Sequence, residues 1–245
     1  MAAWFENFQR HFHQNFIHHD RWTWLLDGLQ ITMQVAIIAI TTGIFLGIIL
    51  ASMRMVRINL FKKLGLDFID NVINWITGGI SYIYIDIIRG TPVVTQLLIW
   101  HFIVFAGTGM PVMIVAAIAL GVNSGAFVSE NIRTGILSID KGQTEAGRSL
   151  GLPPAMTMRY IVMPQAIKNI LPTLVNEFIV LIRETAIVGF VGLADLTQAG
   201  NRIFGVTFNA WFPLIGAAMI YYTMIKILTI FLRKLERRLR KADLR

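Results

Sequence analysis

Asn176, Glu177, Arg183 and Glu184, with Thr185 next in line, break into a stretch of chain that is otherwise apolar. Seven residues separate Asn176 from Arg183 and Glu177 from Glu184, so on a helix each pair lies on one face, two turns apart. A charged side chain in the middle of a bilayer costs roughly 3 kcal/mol unless it faces protein or water. Two uses are open to these groups. They can lock helices together, for instance Arg183 against a glutamate of another span, or they can line a polar passage. A third chemistry, a membrane-embedded transferase acting on lipid through Glu177, Arg183 or Glu184, needs the same residue types. Earlier in the chain Asn123, Phe127 and Glu130 share a helical stripe, with Ser124 adjacent and Arg133 one turn beyond Glu130. Glu130 with Arg133 suits a helix-surface ion pair. Asn123 and Ser124 suit either helix-helix contact or the passage. His11, His13, His18 and His19 alternate with Phe12, Phe16 and Ile17 and have only Asp20 as a nearby carboxylate, which describes an outward interfacial segment better than a metal set. His101 stands alone, no serine, histidine and aspartate arrangement suggests a nucleophile, and no GxxxxGK[ST] loop is present to cradle ATP. With no cysteine, disulfides, thiolate metal sites and cysteine nucleophiles are excluded.

The elements that must position these groups are membrane helices. In 245 residues, 55% are hydrophobic and only 15% charged, and the mean hydropathy is +0.62, too apolar for a soluble domain. The net charge of +8 gathers beside apolar runs, where attraction to the cytoplasmic leaflet explains it better than nucleic acid does. A crossing takes about 20 apolar residues. Gly28 to Met53 supplies one; Ile83 to Ala106 and Val112 to Ile136 form a hairpin around Gly107-Thr108-Gly109-Met110-Pro111; Asn169 to Leu193 and Ala210 to Leu232 complete five spans. Arg54, Arg57, Lys62 and Lys63 follow span one. Lys141, Arg148, Arg159 and Lys168 lie in the loop after span three, and a basic tail closes the chain from Arg233 to Arg245. Only Arg10, Arg21 and Arg202 fall on the other side, which places the tail and that loop in the cytoplasm and segment 1–24 outside. Segment 1–24 has no short apolar core ending at small residues, so span one is expected to remain as an anchor. Leu60 to Tyr82 reads as a helix lying at the interface before Gly78-Gly79, because Asp67 and Asp70 would be costly in lipid. The expectation is one membrane domain over 1–245: an all-α polytopic helix bundle with a cytoplasmic loop at 137–168 and a tail at 233–245.

That loop carries a recognisable pattern. Glu145 and Ala146 are followed at fixed offsets by Gly151, Ile161 and Pro164, within a polar stretch punctuated by Pro153-Pro154. Arg89-Gly90-Thr91-Pro92 with Gln96 upstream, and Asn176 with Arg183-Glu184-Thr185 downstream, extend the pattern over roughly residues 25 to 235. Together these residues resemble the permease subunits of binding-protein-dependent ABC importers, in the branch that takes up polar amino acids. The departures are Gly147 for the third alanine of the triplet, Met163 before Pro164 and Ala186 in place of serine.

The resemblance implies a type I ABC importer permease fold with cytoplasmic coupling helices, one ending near Leu150-Gly151 and one from Ala155 to Tyr160. It implies that this helix-turn element docks on an ATPase subunit through Glu145, Ala146, Gly151 and Pro164. The implied partners are an ABC ATPase dimer, a second permease chain, identical or related, and an extracytoplasmic amino-acid-binding protein. They meet in a prokaryotic cytoplasmic membrane, and ATP and Mg belong to the ATPase, with no cofactor in this chain. The implied cargo is zwitterionic, so a path needs both signs of charge. Its candidate residues are Asn123, Ser124, Glu130, Asn176, Glu177, Arg183, Glu184 and Thr185. Arg89-Gly90-Thr91-Pro92 is expected to be mainly structural, with Arg89 snorkelling at the entrance to span two. A stand-alone ion-coupled transporter is the further alternative. It usually builds its site between two internal repeats, and none is visible here.

Overall fold

The charge-free run between Asp27 and Arg54 lies within a single long helix, α2 (Trp22–Met55), in the computed structural model, which describes residues 1–55 and 67–241. Ahead of it, α1 (Ala2–Phe12) stacks Trp4 on Phe8 and Phe8 on Phe12, the i,i+4 spacing of one helical face. A π turn (His13–Ile17) and a 3-10 turn (His18–Asp20) follow. Positive φ at His19 (58°) and Asp20 (51°) ends that helical course before α2 begins. The remaining elements are α3 (Asp67–Gly90), α4 (Val93–Ile99) with a π turn (Trp100–Val104), α5 (Val112–Leu137), α6 (Lys141–Ser149) and α7 (Pro154–Thr157). A second π turn (Met158–Val162) leads into α8 (Met163–Glu184), which ends in a 3-10 turn (Thr185–Val191). The chain closes with α9 (Leu196–Thr207) and α10 (Trp211–Lys241). Every regular element among the described residues is helical.

Among the described residues three helices are long and apolar enough to cross a bilayer: Trp22–Met55, Val112–Leu137 and Trp211–Leu239. The α3–α4 pair counts as a fourth if a span bent by 109° is allowed. Span two therefore differs from expectation. Its helix does not begin at Ile83 after an interfacial segment; α3 runs unbroken through Gly78-Gly79 to Gly90. A Cβ at either glycine would meet nothing within 4 Å, so neither marks a bend or a close approach. The break falls at Thr91-Pro92, because proline disfavours helical backbone in the residue before it. The Thr91 hydroxyl closes α3 by donating to the Ile87 carbonyl at 2.8 Å. Positions 56–66, which hold Leu60 and Leu64 of the interfacial helix and the charges Arg57, Lys62 and Lys63, lie outside the described residues, as does Arg245.

The turn at Gly107 (φ 71°) and Gly109 (φ 69°) forms where the glycines place it. The second loop helix does not stop at Tyr160. It passes through the π turn directly into α8, so α8 begins at Met163 and not near Asn169. Pro164 has no N–H to donate to the Tyr160 carbonyl, and the wider turn just before it absorbs that missing bond. The α-helical course also ends at Glu184, short of Leu193; a 3-10 turn carries the chain to Gly192, which is left-handed at φ 80°.

By contacts the chain divides into two units. The first comprises Met1–Ala39, Val94–Leu120 and Ile179–Phe231. Its core is Leu25, Leu196, Ala199, Ile203 and Ala217, with Phe16, Trp24 and Tyr221 packed against it. Fully buried Asp195 caps α9, accepting from Thr197 N (3.0 Å) and Gln198 N (3.1 Å), and the Tyr221 hydroxyl donates to the same carboxylate at 3.0 Å. Gly28 lets α2 close on this cap, since a Cβ there would lie 2.8 Å from the Asp195 carbonyl oxygen.

The second unit comprises Ile40–Val93, Gly121–Phe178 and Leu232–Arg245. Here α2 approaches α5 through small residues: a Cβ on Gly43 would lie 2.8 Å from Ser124 Oγ, and one on Gly47 would lie 2.7 Å from Val128 Cβ. The Ser81 hydroxyl ties α3 to α2 by donating to the Leu50 carbonyl (3.0 Å), and the Tyr84 hydroxyl ties it to α5 by donating to the Val122 carbonyl (2.7 Å).

Candidate functional site

The second unit contains three sets of polar groups that the helices above hold in place. In the first, Ser124 Oγ donates to Glu177 Oε1 at 2.9 Å. Ser124 is fully buried, and Glu177 is only 8% exposed. Close approach of α2 at Gly43 leaves Ser124 little freedom, so this contact is sterically framed as well as hydrogen-bonded. Asn123 is buried beside it and Asn176 is exposed. A buried acid with a hydroxyl on one oxygen is a polar point in an apolar wall, available to a cationic or hydrogen-bonding group of a passing solute.

The second set surrounds Glu130. Its carboxylate pairs with Arg133 on the same helix, through Nε at 3.0 and 3.1 Å and through Nη2, and Arg54 from the end of α2 reaches it at 3.3 Å. The expected Glu130–Arg133 pair is present, and it is an interhelical cluster as well as a surface pair. Arg54, Glu130, Tyr82, Ile85, Asp86, Arg89 and Gly90 line a cleft of about 430 Å³. Arg89 is not an isolated motif residue at the entrance to a span. It sits at the bend, with its guanidinium 5.3 Å from the Phe127 ring centroid. Asp86 and Arg89 stand one turn apart on α3, and the unbroken course of α3 brings them to the same cleft as Glu130.

The third set is the loop element. Asp140 caps α6 by accepting from Gly142 N at 2.7 Å. Gly151, at φ 83°, ends the turn between α6 and α7, where Leu152 N donates to the Gly147 carbonyl at 3.1 Å. Glu145, Ala146, Gly151 and Pro164 are all exposed, as is Leu150 at 82%. Gly147 is buried: a Cβ there would lie 2.6 Å from Ile161 Cδ1 and 2.9 Å from Thr157 Cγ2. The departure from alanine in the triplet is thus where α6 packs against the second helix of the loop.

Arg183, Glu184 and Thr185 belong to the first unit. Arg183 is exposed, Glu184 is half-buried with a partner, and buried Thr185 donates to the Ile182 carbonyl at 2.8 Å. No group of three or more His, Asp or Glu among the described residues is placed to hold a metal.

Residues 43–241 match the family described as the binding-protein-dependent transport system inner membrane component. The chain belongs to this family. It is 38% identical over 227 residues to the arginine transport system permease protein ArtQ of Bacillus subtilis (strain 168), covering 89% of this chain and 94% of that one. It is 30% identical over 219 residues to the glutamine transport system permease protein GlnP of Escherichia coli (strain K12), covering 88% and 93%. Among solved structures, the crystal structure of an amino acid ABC transporter with histidines superposes with a TM-score of 0.78 at 38% identity, covering 91% of this chain and 98% of that chain. The inward-facing MetNI methionine ABC transporter superposes at 0.70 with 18% identity and shares the fold. The all-α membrane architecture and the ABC permease assignment read from the loop pattern are both upheld by these matches.

Proposed function

We propose that this permease passes polar amino acids across the cytoplasmic membrane in an ATP-driven importer, receiving them from an extracytoplasmic binding protein. The observation that carries the substrate class is the similarity, over most of the chain, to permeases named for arginine and glutamine. The buried Glu177 carboxylate supports it, because a zwitterion with a polar side chain needs polar points inside an apolar wall. The residues proposed to meet the cargo are Asn123, Ser124, Glu130, Asn176 and Glu177, together with Arg183, Glu184 and Thr185.

ATP and Mg act in a partner ATPase dimer. Exposed Glu145, Ala146, Gly151 and Pro164 form the surface offered to it, with Asp140 and Gly151 fixing the ends of α6, which carries Glu145 and Ala146, and Pro164 standing at the start of α8. The topology that accommodates this is five spans, α2, α3 with α4, α5, α8 and α10, with segment 1–24 outside and the basic tail inside. A second permease chain completes the path. Only 6% of the most apolar window of α10 is buried within this chain, which leaves that helix for lipid and a partner.

Uptake of radiolabelled arginine by cells expressing the complete transporter, competed by glutamine, glutamate and histidine, tests the substrate class. Competition by at least one of these polar amino acids, and none by leucine, is expected. No arginine uptake, or uptake competed by leucine as strongly as by the polar amino acids, would remove the assignment.

A further inference from the structure

We infer that α1 is a lipid anchor: its aromatic face, Trp4, Phe5 and Phe12, sits in the boundary between the headgroups and acyl chains of the bilayer, level with the start of α10. The inference goes beyond the transport function. It rests on α2 and α10 crossing the membrane and on no assignment of cargo. The family match covers residues 43–241, so α1 lies outside it.

Three observations carry it. First, α1 separates its residue types. Trp4, Phe8 and Phe12 follow the i, i+4, i+8 spacing of one face with Phe5 beside them, and Glu6, Gln9 and Arg10 occupy the other. All of these side chains are exposed, Phe8 least among the rings because it also meets Phe212. A helix with large apolar rings on one side and a polar reverse is the kind that lies in the membrane interface. Second, α1 is fixed at the end of a span. Phe8, His11 and Phe16 meet the ring of Phe212, in the first turn of α10, at 5.2, 6.2 and 6.5 Å. Phe16 alone reaches one turn deeper, where a Cβ on Gly216 would lie 3.0 Å from its Cζ. Buried Asn15 accepts from the Thr207 hydroxyl at 2.8 Å and donates to the His11 carbonyl at 2.7 Å, and the Asn209 amide meets His11 Nδ1 at 3.2 Å. Eight residues of helix rise about 12 Å, so a segment held to this one level crosses the end of α10 and does not descend beside it. Third, the aromatic face continues a surface that belongs to lipid. Exposed Phe208 and Trp211 extend it onto α10, and below them only 6% of the most apolar window of that helix is buried. Aromatic rings at span ends are what the membrane boundary selects. Charge agrees with this occupant. Glu6 and Asp20 offset Arg10 and Arg21, Arg10 donates to Asn7 Oδ1 at 2.8 Å, and the Arg21 guanidinium turns inward to the Gln14 carbonyl. A segment so balanced enters the bilayer through its rings and not by attraction to anionic headgroups.

The chain has no cysteine, so single cysteines can carry a nitroxide label without background. The test is electron paramagnetic resonance of the complete transporter in phosphatidylcholine liposomes without binding protein, comparing access of oxygen, which concentrates in lipid, with access of a water-soluble nickel chelate. Labels are placed one at a time from position 4 to 12, and Met219→Cys on exposed Met219 of α10 serves as the reference within the bilayer. The ratio of oxygen to nickel access should oscillate with the helical period, several-fold higher at 5 and 12 than at 6 and 9. It should be unchanged when part of the lipid is replaced by phosphatidylglycerol. The label at position 4 should shift toward nickel access in Phe5→Ser/Phe12→Ser. Equal nickel access along the helix, with oxygen favoured at 219, overturns this inference alone. Labels at 5 and 12 closed to both reagents assign the face to a second permease chain and overturn it. Loss of oxygen access at 5 and 12 on addition of the binding protein assigns the face to that protein and overturns it as well. Immersion found only with phosphatidylglycerol overturns insertion through the rings. Nickel access at 219 overturns the inference together with the membrane reading of α10.

Discussion

Gly147 gives the sharpest lever on the coupling loop. A Cβ at this position would lie 2.6 Å from Ile161 Cδ1 and 2.9 Å from Thr157 Cγ2. Relaxed carbon contacts sit at about 3.5–4.0 Å, so α6 and the second loop helix would have to separate by about 1 Å or repack. Ile161 can turn its terminal methyl aside. Thr157 cannot move as easily: it is buried, β-branched and hydrogen-bonded to the Pro153 carbonyl at 3.3 Å. Alanine gains about 1 kcal/mol of helix propensity over glycine, while overpacking costs about 1–3 kcal/mol, so Gly147→Ala should range from near neutral to about 2 kcal/mol destabilising in this element. Gly147→Val adds two further methyl groups with less propensity gain and should cost about 3 kcal/mol. Hydrogen exchange over residues 141–162 reads the local effect, and co-purification of the ATPase reads its consequence. Gly147→Val should speed exchange and reduce ATPase retention, and Ile161→Ala added to Gly147→Ala should restore both by making room. Wild-type exchange and full ATPase retention in Gly147→Val would refute the packing argument. Lost retention with unchanged exchange would refute the link between packing and docking.

Other consequences follow from the same geometry. Gly151 sits at φ 83° with open space around it, so Gly151→Val should cost about 1 kcal/mol through backbone strain alone and lower ATP-driven uptake while the protein still inserts in the membrane, read by protease protection. Ser124→Ala removes the hydroxyl from the carboxylate of a buried glutamate and should reduce uptake without changing expression; Glu177→Gln, which can still accept from Ser124, should separate loss of charge from loss of packing in the same uptake assay. Gly28→Leu would drive a side chain into the Asp195 carbonyl and the α9 cap, and should lower the detergent-solubilised melting temperature by several degrees, whereas Leu at Gly78, which has nothing within 4 Å, should not.

Much of this was readable from residue order because the determinants are local. The glycines of the 107–109 turn and the tight turn at Gly151 each depend on a few neighbouring residues, and the structure has them where residue chemistry puts them. The interfacial helix expected to end before Gly78-Gly79 instead continues to Gly90, because two glycines cost a helix about 2 kcal/mol and do not force a break, whereas Pro92 does. The start of α8 was misplaced because a π turn has no periodic signature in sequence. The Arg54 contact to Glu130 and the cleft facing Asp86 and Arg89 were not legible at all, since they join residues 76 apart or depend on how three helices face one another. Arg54 was the first charge after an apolar run and so looked like a topology marker; a positively charged span end is also where an arginine can reach a glutamate on a neighbouring helix.

The central claim is that this permease moves amino acids only when coupled to an ATPase. Its most direct test is uptake of radiolabelled arginine or glutamine into liposomes holding this chain, its partner ATPase and, if needed, a second permease, with the binding protein outside and ATP inside. Uptake that requires every component, and that stops when ATP is replaced by a non-hydrolysable analogue, is the predicted result. Amino-acid uptake by this chain alone, driven by an ion gradient and indifferent to ATP, would contradict the account.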